Sequence, residues 1–258
     1  MTTQQPDWGS LDQPGEGGNV IPTEEMYNYL PFYLSIDVSG SMEGAPIAAI
    51  NAELPRLQRS LVTTPIVAEV ARLAIVSFSD APRVDLPLSD LADVDRMPVL
   101  AVGGGTSYRS VFEYMRRLID SDYRAMKAAG WRSYRPTVFF LTDGKPTDLP
   151  ERPWGPAYEA LVDPNWTLHP NLLAFGFGEA DVAVLQEIGR IASRLGSGNV
   201  AAYMATSGQV PATMLQELVQ FLTSSIVSSA RSLGTGAVSV AAPQPGPGSG
   251  FVRLDVLP

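Results

Sequence analysis

The chain of 258 residues contains no cysteine and a single histidine, His169. The absence of cysteine excludes disulfide bonds, thiol catalysis and zinc sites built on thiolates. A serine–histidine–acid triad would have to use His169, but Pro170 follows it and no strained nucleophile turn is evident. His169 is therefore interpreted as a structural or surface residue on a loop before a strand.

Basic residues are also scarce, since the chain contains 18 Lys and Arg but 27 Asp and Glu, which gives a net charge of −9. Non-specific nucleic-acid binding needs a basic surface, so no nucleic-acid partner is expected. The basic residues concentrate only in residues 116–135, between aromatic side chains. We interpret this stretch as a solvated helix face and loop.

Long apolar runs are missing as well. No stretch reaches about 18 apolar residues, so no membrane span is expected, and the first residues lack the basic-then-apolar pattern of a Sec-type signal. The hydrophobic fraction of 45% is still ample for a core. Composition predicts three parts: a disordered N-terminal segment (1–23), a folded domain (24–231) and a Gly/Pro-rich C-terminal tail (232–258).

Short apolar runs alternate with runs of helical periodicity in the middle of the chain. The predicted strands are residues 32–36, 67–79, 83–86, 137–142, 171–177 and 200–204. The predicted helices are residues 46–61, 106–119, 158–162, 181–195 and 214–227. The pattern predicts an α/β fold: a Rossmann-like, doubly wound, mostly parallel sheet with one antiparallel edge strand and helices on both faces.

Three local features add to this prediction. Pro55 interrupts the first helical pattern, so a kink or a helix boundary is expected there. Residues 67–79 and 83–86 flank a turn and predict a hairpin at a sheet edge. Residues 251–257 alternate as F-V-R-L-D-V-L, which suits either an edge strand or an exposed peptide.

The first predicted strand ends in D-V-S-G-S, which places oxygen-bearing side chains on alternate residues: Asp37, Ser39 and Ser41. Carboxylates and hydroxyls are hard ligands, suited to Mg²⁺ or a similar hard cation. The same residue types are common at turns and helix N-termini, so the pentapeptide alone could simply start a helix.

Two further segments strengthen the cation interpretation. The loop G-G-G-T-S opens a predicted helix at Thr106 or Ser107, and the strand T-V-F-F-L-T is followed by Asp143. Ligands of open α/β sheets bind beyond the carboxyl ends of the strands. We therefore expect Thr106 and Asp143 to lie near the D-V-S-G-S turn.

These three separated elements together resemble the von Willebrand factor A domain, whose metal-ion-dependent adhesion site (MIDAS) has the pattern D-x-S-x-S with a distant Thr and Asp. The resemblance maps the site onto Asp37, Ser39, Ser41, Thr106 and Asp143. It implies that the three hydroxyls bind the metal, Thr106 directly or through water, and that the two carboxylates supply charge.

The implied ion is Mg²⁺, with Mn²⁺ and Ca²⁺ as alternatives, and it keeps a coordination position for an Asp or Glu of a partner protein. The resemblance thus implies a metal-dependent binding module and not an enzyme. Within the family, F-F-L-T-D-G-K-P-T-D looks most like the bacterial, cytosolic branch that includes TerY-type proteins of tellurium-resistance and stress operons. That branch implies a cytoplasmic location.

Two other classes stay open. A Mg²⁺-dependent phosphoryl-transfer or hydrolytic enzyme is the main rival, but a haloacid-dehalogenase phosphatase needs an Asp where Ser39 stands, and Lys145 is not where a receiver domain needs its lysine. A structural scaffold without metal is the third class. The sequence indicates neither the partner nor the oligomeric state.

Overall fold

A computed structural model of the chain describes residues 28–151, 153–196, 200–205, 211–232 and 250–254. Within these residues, eight strands form one sheet, and six α-helices pack around it. The strands are β1 (Asn28–Asp37), β2 (Ala71–Phe78), β3 (Pro82–Ser89), β4 (Arg132–Ser133), β5 (Thr137–Thr142), β6 (Asn171–Gly176), β7 (Val200–Ala205) and β8 (Phe251–Leu254). The helices are α1 (Ala45–Val62), α2 (Pro65–Val70), α3 (Tyr108–Ala128), α4 (Gly155–Val162), α5 (Val182–Leu195) and α6 (Pro211–Ser232).

The strands follow the order β3-β2-β1-β5-β6-β7-β8, and the short β4 pairs with the beginning of β1. Neighbours from β2 to β7 in this order are parallel. Strand β3 is the expected antiparallel edge strand, and β8 adds a second antiparallel strand at the opposite edge. The predicted fold class, a Rossmann-like and mostly parallel sheet with helices around it, is confirmed.

Two apolar layers cover the sheet. On one face, α1, α2 and α6 pack against Phe32, Leu34 and Ile36 of β1. On the other face, α3, α4 and α5 pack in the layer that contains Tyr33. Alternate side chains of a strand point to opposite faces, so an almost continuously apolar β1 lies between helices on both sides. The carboxyl end of β1 is consequently fixed from both faces.

One local prediction was wrong, and one of the two alternatives expected at Pro55 is excluded. Residues 67–70 belong to α2 and not to the following strand, because Pro65 and Thr64 begin a helical turn before β2 starts at Ala71. Helix α1 continues through Pro55 and has no boundary there. Its buried face packs against the sheet and α6, and this burial outweighs the one backbone hydrogen bond that proline cannot donate.

The C-terminal alternation at residues 251–257 forms an edge strand over its described part, Phe251–Leu254. The predicted N-terminal disordered segment and nearly all of the Gly/Pro-rich tail before Gly250 lie outside the described residues. Among the described helices, none combines the length and the apolar character that crossing a membrane requires.

Candidate metal centre

The predicted site residues come from three loops at one end of the sheet. Asp37 is the last residue of β1, and a short 3-10 helix, Gly40–Met42, follows it. Asp143 directly follows β5, and Thr106 lies two residues before α3. Backbone hydrogen bonds join two of these loops, from Gly103 N to Val38 O at 2.6 Å and from Gly40 N to Gly104 O at 2.9 Å.

The three predicted hydroxyls border a single point beside Gly144. A methyl group built on Gly144 would lie 3.4 Å from Ser41 Oγ, 3.6 Å from Thr106 Oγ1 and 3.9 Å from Ser39 Oγ. The two serine oxygens are 3.1 Å apart. Ser39 and Thr106, which are 67 positions apart in the sequence, and Ser41 therefore place three neutral oxygen ligands around one small space.

The two predicted carboxylates lie directly behind these hydroxyls. Ser41 Oγ donates a hydrogen bond to Asp143 Oδ1 at 2.8 Å. The Asp37 carboxylate accepts from Ser39 N at Oδ1, at 2.9 Å, and from Thr142 Oγ1 at Oδ2, at 2.8 Å. The structure thus brings all five predicted residues together.

Both carboxylates are removed from solvent. Asp37 is 0% exposed and Asp143 4% exposed. Burial raises the pKa of Asp37, against hydrogen bonds from Ser39 and Thr142 that lower it. Burial also raises the pKa of Asp143 to about 6; the hydrogen bond from Ser41 opposes this shift and the charge of Asp37 adds to it.

No described lysine or arginine forms an ion pair with either carboxylate. Two buried acids without a cation favour a positively charged ligand. Nowhere in the described part of the chain do three or more His, Cys, Asp or Glu side chains form a metal-binding group. The donor set that fits a hard cation here is therefore two carboxylates and three hydroxyls.

Three residues near the site were not singled out from the sequence. Thr142 donates to Asp37, as described above. Thr147 pairs with Thr106 twice, since Thr106 N donates to Thr147 Oγ1 at 2.9 Å and Thr147 N donates to Thr106 O at 2.8 Å. Asp148 accepts from Ser107 Oγ at 2.9 Å and from the first backbone N–H groups of α3. The signal that could have identified all three is the segment L-T-D-G-K-P-T-D, since its remaining hydroxyl and acid residues are these three.

A pocket of about 230 Å³ adjoins this loop. Its lining is mainly polar and consists of Asp80, Ser107, Arg109, Ser110, Glu113, Thr147, Asp148 and Leu149. Leu149 is 64% exposed. The surface beside Thr106 is therefore concave, and a single apolar side chain projects from its rim.

Two residues weighed for catalysis take no part in the site. Lys145 forms an ion pair with Asp181, with Nζ and Oδ2 3.1 Å apart. His169 is buried; its Nδ1 lies 2.7 Å from Trp166 O, and Arg135 contacts its other ring nitrogen. The structural interpretation of His169 agrees with this geometry.

A doubly wound sheet with polar loops at the carboxyl end of its central strands defines a Rossmann-like α/β domain. The profile of the von Willebrand factor type A domain matches residues 33–221, and the chain belongs to this family. Among curated proteins, none matches this chain.

Solved structures show the same fold at low sequence identity. Proximal thread matrix protein 1 from the mussel byssus has a TM-score of 0.52 and 17% identity, over 80% of this chain and 49% of that chain. The pilus adhesin SpaC from Lactobacillus rhamnosus GG has a TM-score of 0.54 and 12% identity, over 76% of this chain and 30% of that chain.

A second structure of the mussel protein contains zinc in its MIDAS motif; it has a TM-score of 0.47 and 18% identity, over 80% of this chain and 49% of that chain. This chain spans about half the length of the mussel protein and less than a third of the adhesin.

Proposed function

We propose that this domain is a metal-dependent protein-binding module with a metal-ion-dependent adhesion site. In this proposal Ser39, Ser41 and Thr106 bind Mg²⁺, and Asp37 and Asp143 supply negative charge behind them. The observation that carries it is the convergence of three hydroxyls on one point beside Gly144, with two buried carboxylates in hydrogen-bond contact. Proteins of this family are generally interaction modules, which supports the assignment.

The donor set explains why such an ion would need a partner. Neutral hydroxyls leave a bound divalent cation electrophilic, and Mg²⁺ commonly keeps several waters. A partner Asp or Glu could replace one water and add a negative charge. Mn²⁺ or Ca²⁺ could occupy the same oxygens. We propose a binding module and not an enzyme, since neither Lys145 nor His169 is placed for catalysis on this site.

The finer biological assignment is also a proposal. The segments D-V-S-G-S-M and L-T-D-G-K-P-T-D support membership in the bacterial, cytosolic branch of the family. In that branch, TerY-type proteins belong to tellurium-resistance and stress operons, and we infer a related cytoplasmic role here. We propose residues 24–231 as the domain proper, to which the C-terminal segment adds β8 as an edge strand.

Metal binding is tested by calorimetry and thermal unfolding of the full chain in Mg²⁺, Mn²⁺ or EDTA. We expect weak binding, with an increase in melting temperature on adding metal, because two carboxylates are a modest charge for a divalent ion. Identical melting curves in saturating metal and in EDTA, without heat of binding, would contradict the proposal.

Two substitutions locate the ion. Gly144→Ala should fold, since its methyl makes only ordinary contacts of 3.4–3.9 Å, but this methyl occupies the space that the hydroxyls border. Ser39→Ala removes one ligand. Each should weaken metal binding by at least about 10-fold, as for changes beside metal ligands.

Matched controls lie elsewhere in the same fold. A methyl on Gly155 would meet only Ile191 Cδ1, at 4.0 Å. Ser35 is a buried serine of β1 whose hydroxyl has no hydrogen-bond partner in the described chain. Gly155→Ala and Ser35→Ala should keep the affinity of the wild type.

A further inference from the structure

A chain of buried hydroxyl groups connects helix α3 to the candidate metal centre. Tyr108 OH donates to Thr142 Oγ1 at 2.9 Å, and Thr142 Oγ1 donates to Asp37 Oδ2 at 2.8 Å. Tyr108 is 1% exposed, and Thr142 and Asp37 are both 0% exposed. The first residue of α3 is thus connected through the last residue of β5 to the last residue of β1.

The hydrogen bonds around Thr142 fix the direction of its hydroxyl. A threonine hydroxyl accepts two hydrogen bonds and donates one. Tyr108 OH and Gly144 N, the latter at 3.3 Å, donate to Thr142 Oγ1. The single hydrogen of Thr142 then points to Asp37 Oδ2 at 2.8 Å in preference to Gly144 O at 3.4 Å.

Asp37 in turn orients the residue that supplies a candidate ligand. Its Oδ1 accepts from Ser39 N, so the hydrogen bond from Thr142 to Oδ2 occupies the other carboxylate oxygen. With both oxygens engaged, the carboxylate plane is fixed, and the turn that presents the Ser39 hydroxyl is fixed with it. Partners that orient metal-site residues in this way affect metal affinity strongly.

The aromatic packing of Tyr108 keeps its hydroxyl in this position. The ring centroid lies 5.0 Å from that of Phe140 and 6.1 Å from those of Phe78 and Trp154. A rotation of the ring toward solvent would disrupt these contacts. Tyr108 also follows Thr106 by two residues, so the segment that carries one candidate ligand also orients the acid behind another.

We propose that Tyr108 is a positioning residue of the metal centre, which acts through the Thr142 hydroxyl to orient Asp37. This inference rests on the proposed metal-binding function. The segment from Thr106 to the beginning of α3 then has two roles. Thr106 supplies a candidate ligand, and Tyr108 orients Asp37, so any displacement of this segment changes the hydrogen bonding of Asp37.

The experiment measures Mn²⁺ affinity by calorimetry, at a temperature where every variant is folded. Tyr108→Phe removes the donor to Thr142 at 2.9 Å, together with a longer contact to Gly144 O at 3.3 Å. It should weaken binding about 10-fold, the lower end of the range for residues that orient metal ligands. Thr142→Val should weaken it about 10- to 100-fold. Thr142→Ser keeps the hydroxyl and should restore most of the affinity.

Tyr158→Phe is the matched control. Tyr158 is 0% exposed and packs on Phe112 with centroids 5.0 Å apart, in the same aromatic group. Its hydroxyl has no hydrogen-bond partner among the described residues. The substitution therefore removes an equally buried phenol oxygen and should leave Mn²⁺ affinity unchanged.

A double substitution separates positioning from a general structural effect. If Tyr108 acts through Thr142, Tyr108→Phe should cause no further loss of Mn²⁺ affinity in the Thr142→Val background. Equal affinities of Tyr108→Phe and Tyr158→Phe, or additive losses in the double variant, would overturn the inference and leave the proposed function intact. Absence of Mn²⁺ binding by the wild type would overturn both.

Discussion

At the scale of single residues, hydroxyl groups and two carboxylates determine the chemistry of the candidate centre. Ser39, Ser41 and Thr106 contribute oxygen atoms without formal charge, so a bound cation would be only partly neutralised. The acids Asp37 and Asp143 are buried, and burial raises the pKa of both. This arrangement suits a metal ion with one coordination position open to a carboxylate from another molecule. It suits less well a structural metal whose ligands all come from this chain.

The sole imidazole, His169, gives a pH-dependent prediction that is independent of the metal. Trp166 O can only accept, so Nδ1 carries the hydrogen and Nε2 accepts from Arg135. Burial lowers the pKa of His169, and the charge of Arg135 acts in the same direction. A proton NMR titration should give one imidazole pKa below about 6.5, the ordinary value.

The sign of the stability effect follows from this shift. With a folded-state pKa below the unfolded value, the neutral ring contributes stability above about pH 6.5, and this contribution is lost as pH falls through the folded pKa. As pH falls from about 6.5 through the folded-state pKa, the free energy of unfolding of the wild type should therefore decrease relative to that of His169→Gln. Urea unfolding at several pH values measures this difference. An imidazole pKa at or above 6.5 would contradict the prediction.

The proximity of the five candidate residues could be predicted from the sequence, because each lies at a recognisable strand end or glycine-rich loop. The proposed roles of Tyr108 and Thr142 could not be predicted. They depend on the register of β1 and β5, in which Ile36 pairs with Leu141, so that Asp37 and Thr142 end neighbouring strands at one level. A sequence does not specify that register, nor the ring orientation that directs the Tyr108 hydroxyl.

At the scale of elements, the prediction succeeded where an apolar run was clearly bounded. Strand β5 has the predicted ends, and α3 begins after Ser107, which caps it. It failed where an apolar stretch suited two structures: residues 67–70 were predicted as the beginning of a strand, because Val67 and Val70 are β-branched, yet they belong to α2. The helix boundary that Pro55 suggested is absent, because packing of the buried face holds α1 together through this residue.

Strand β8 gives the prediction at this scale. Phe251 is 8% exposed and packs edge-on against Phe175, with ring centroids 5.5 Å apart. Phe251→Ala should lower the free energy of unfolding by about 3 kcal/mol, at the lower limit for buried phenylalanine. Urea unfolding of the full chain measures this, and Mn²⁺ affinity should not change.

Val252 is the control on the same strand. It is 51% exposed, so Val252→Ala should change stability by no more than about 0.5 kcal/mol. If Phe251→Ala lowers the free energy of unfolding no more than Val252→Ala does, β8 contributes little to the stability of the sheet. In that case the folded unit would end with α6.

At the scale of the whole molecule, the site lies where the chain changes direction across the sheet. From β1 the chain continues through α1 to β2 and β3 on one side, and returns through α3 to β5 on the other side of β1. Ligands of doubly wound sheets bind at such a switch point. The topology therefore places the loops after β1, before α3 and after β5 around one surface.

The last prediction is that the metal connects this surface to an acidic residue of a partner protein. The immobilised full chain should capture the partner in Mg²⁺ and release it in EDTA, because the partner carboxylate completes the coordination of the ion.

Thr106→Val removes one candidate ligand at nearly constant volume and should abolish the EDTA-sensitive capture. Thr137→Val, a buried threonine at the other end of β5, is the control and should retain it. When the key Asp or Glu of the captured partner is changed to its amide, capture in Mg²⁺ should be no stronger than capture of the unchanged partner in EDTA. Equal capture by the wild type and Thr106→Val, at equal folded concentration, would show that binding uses another surface.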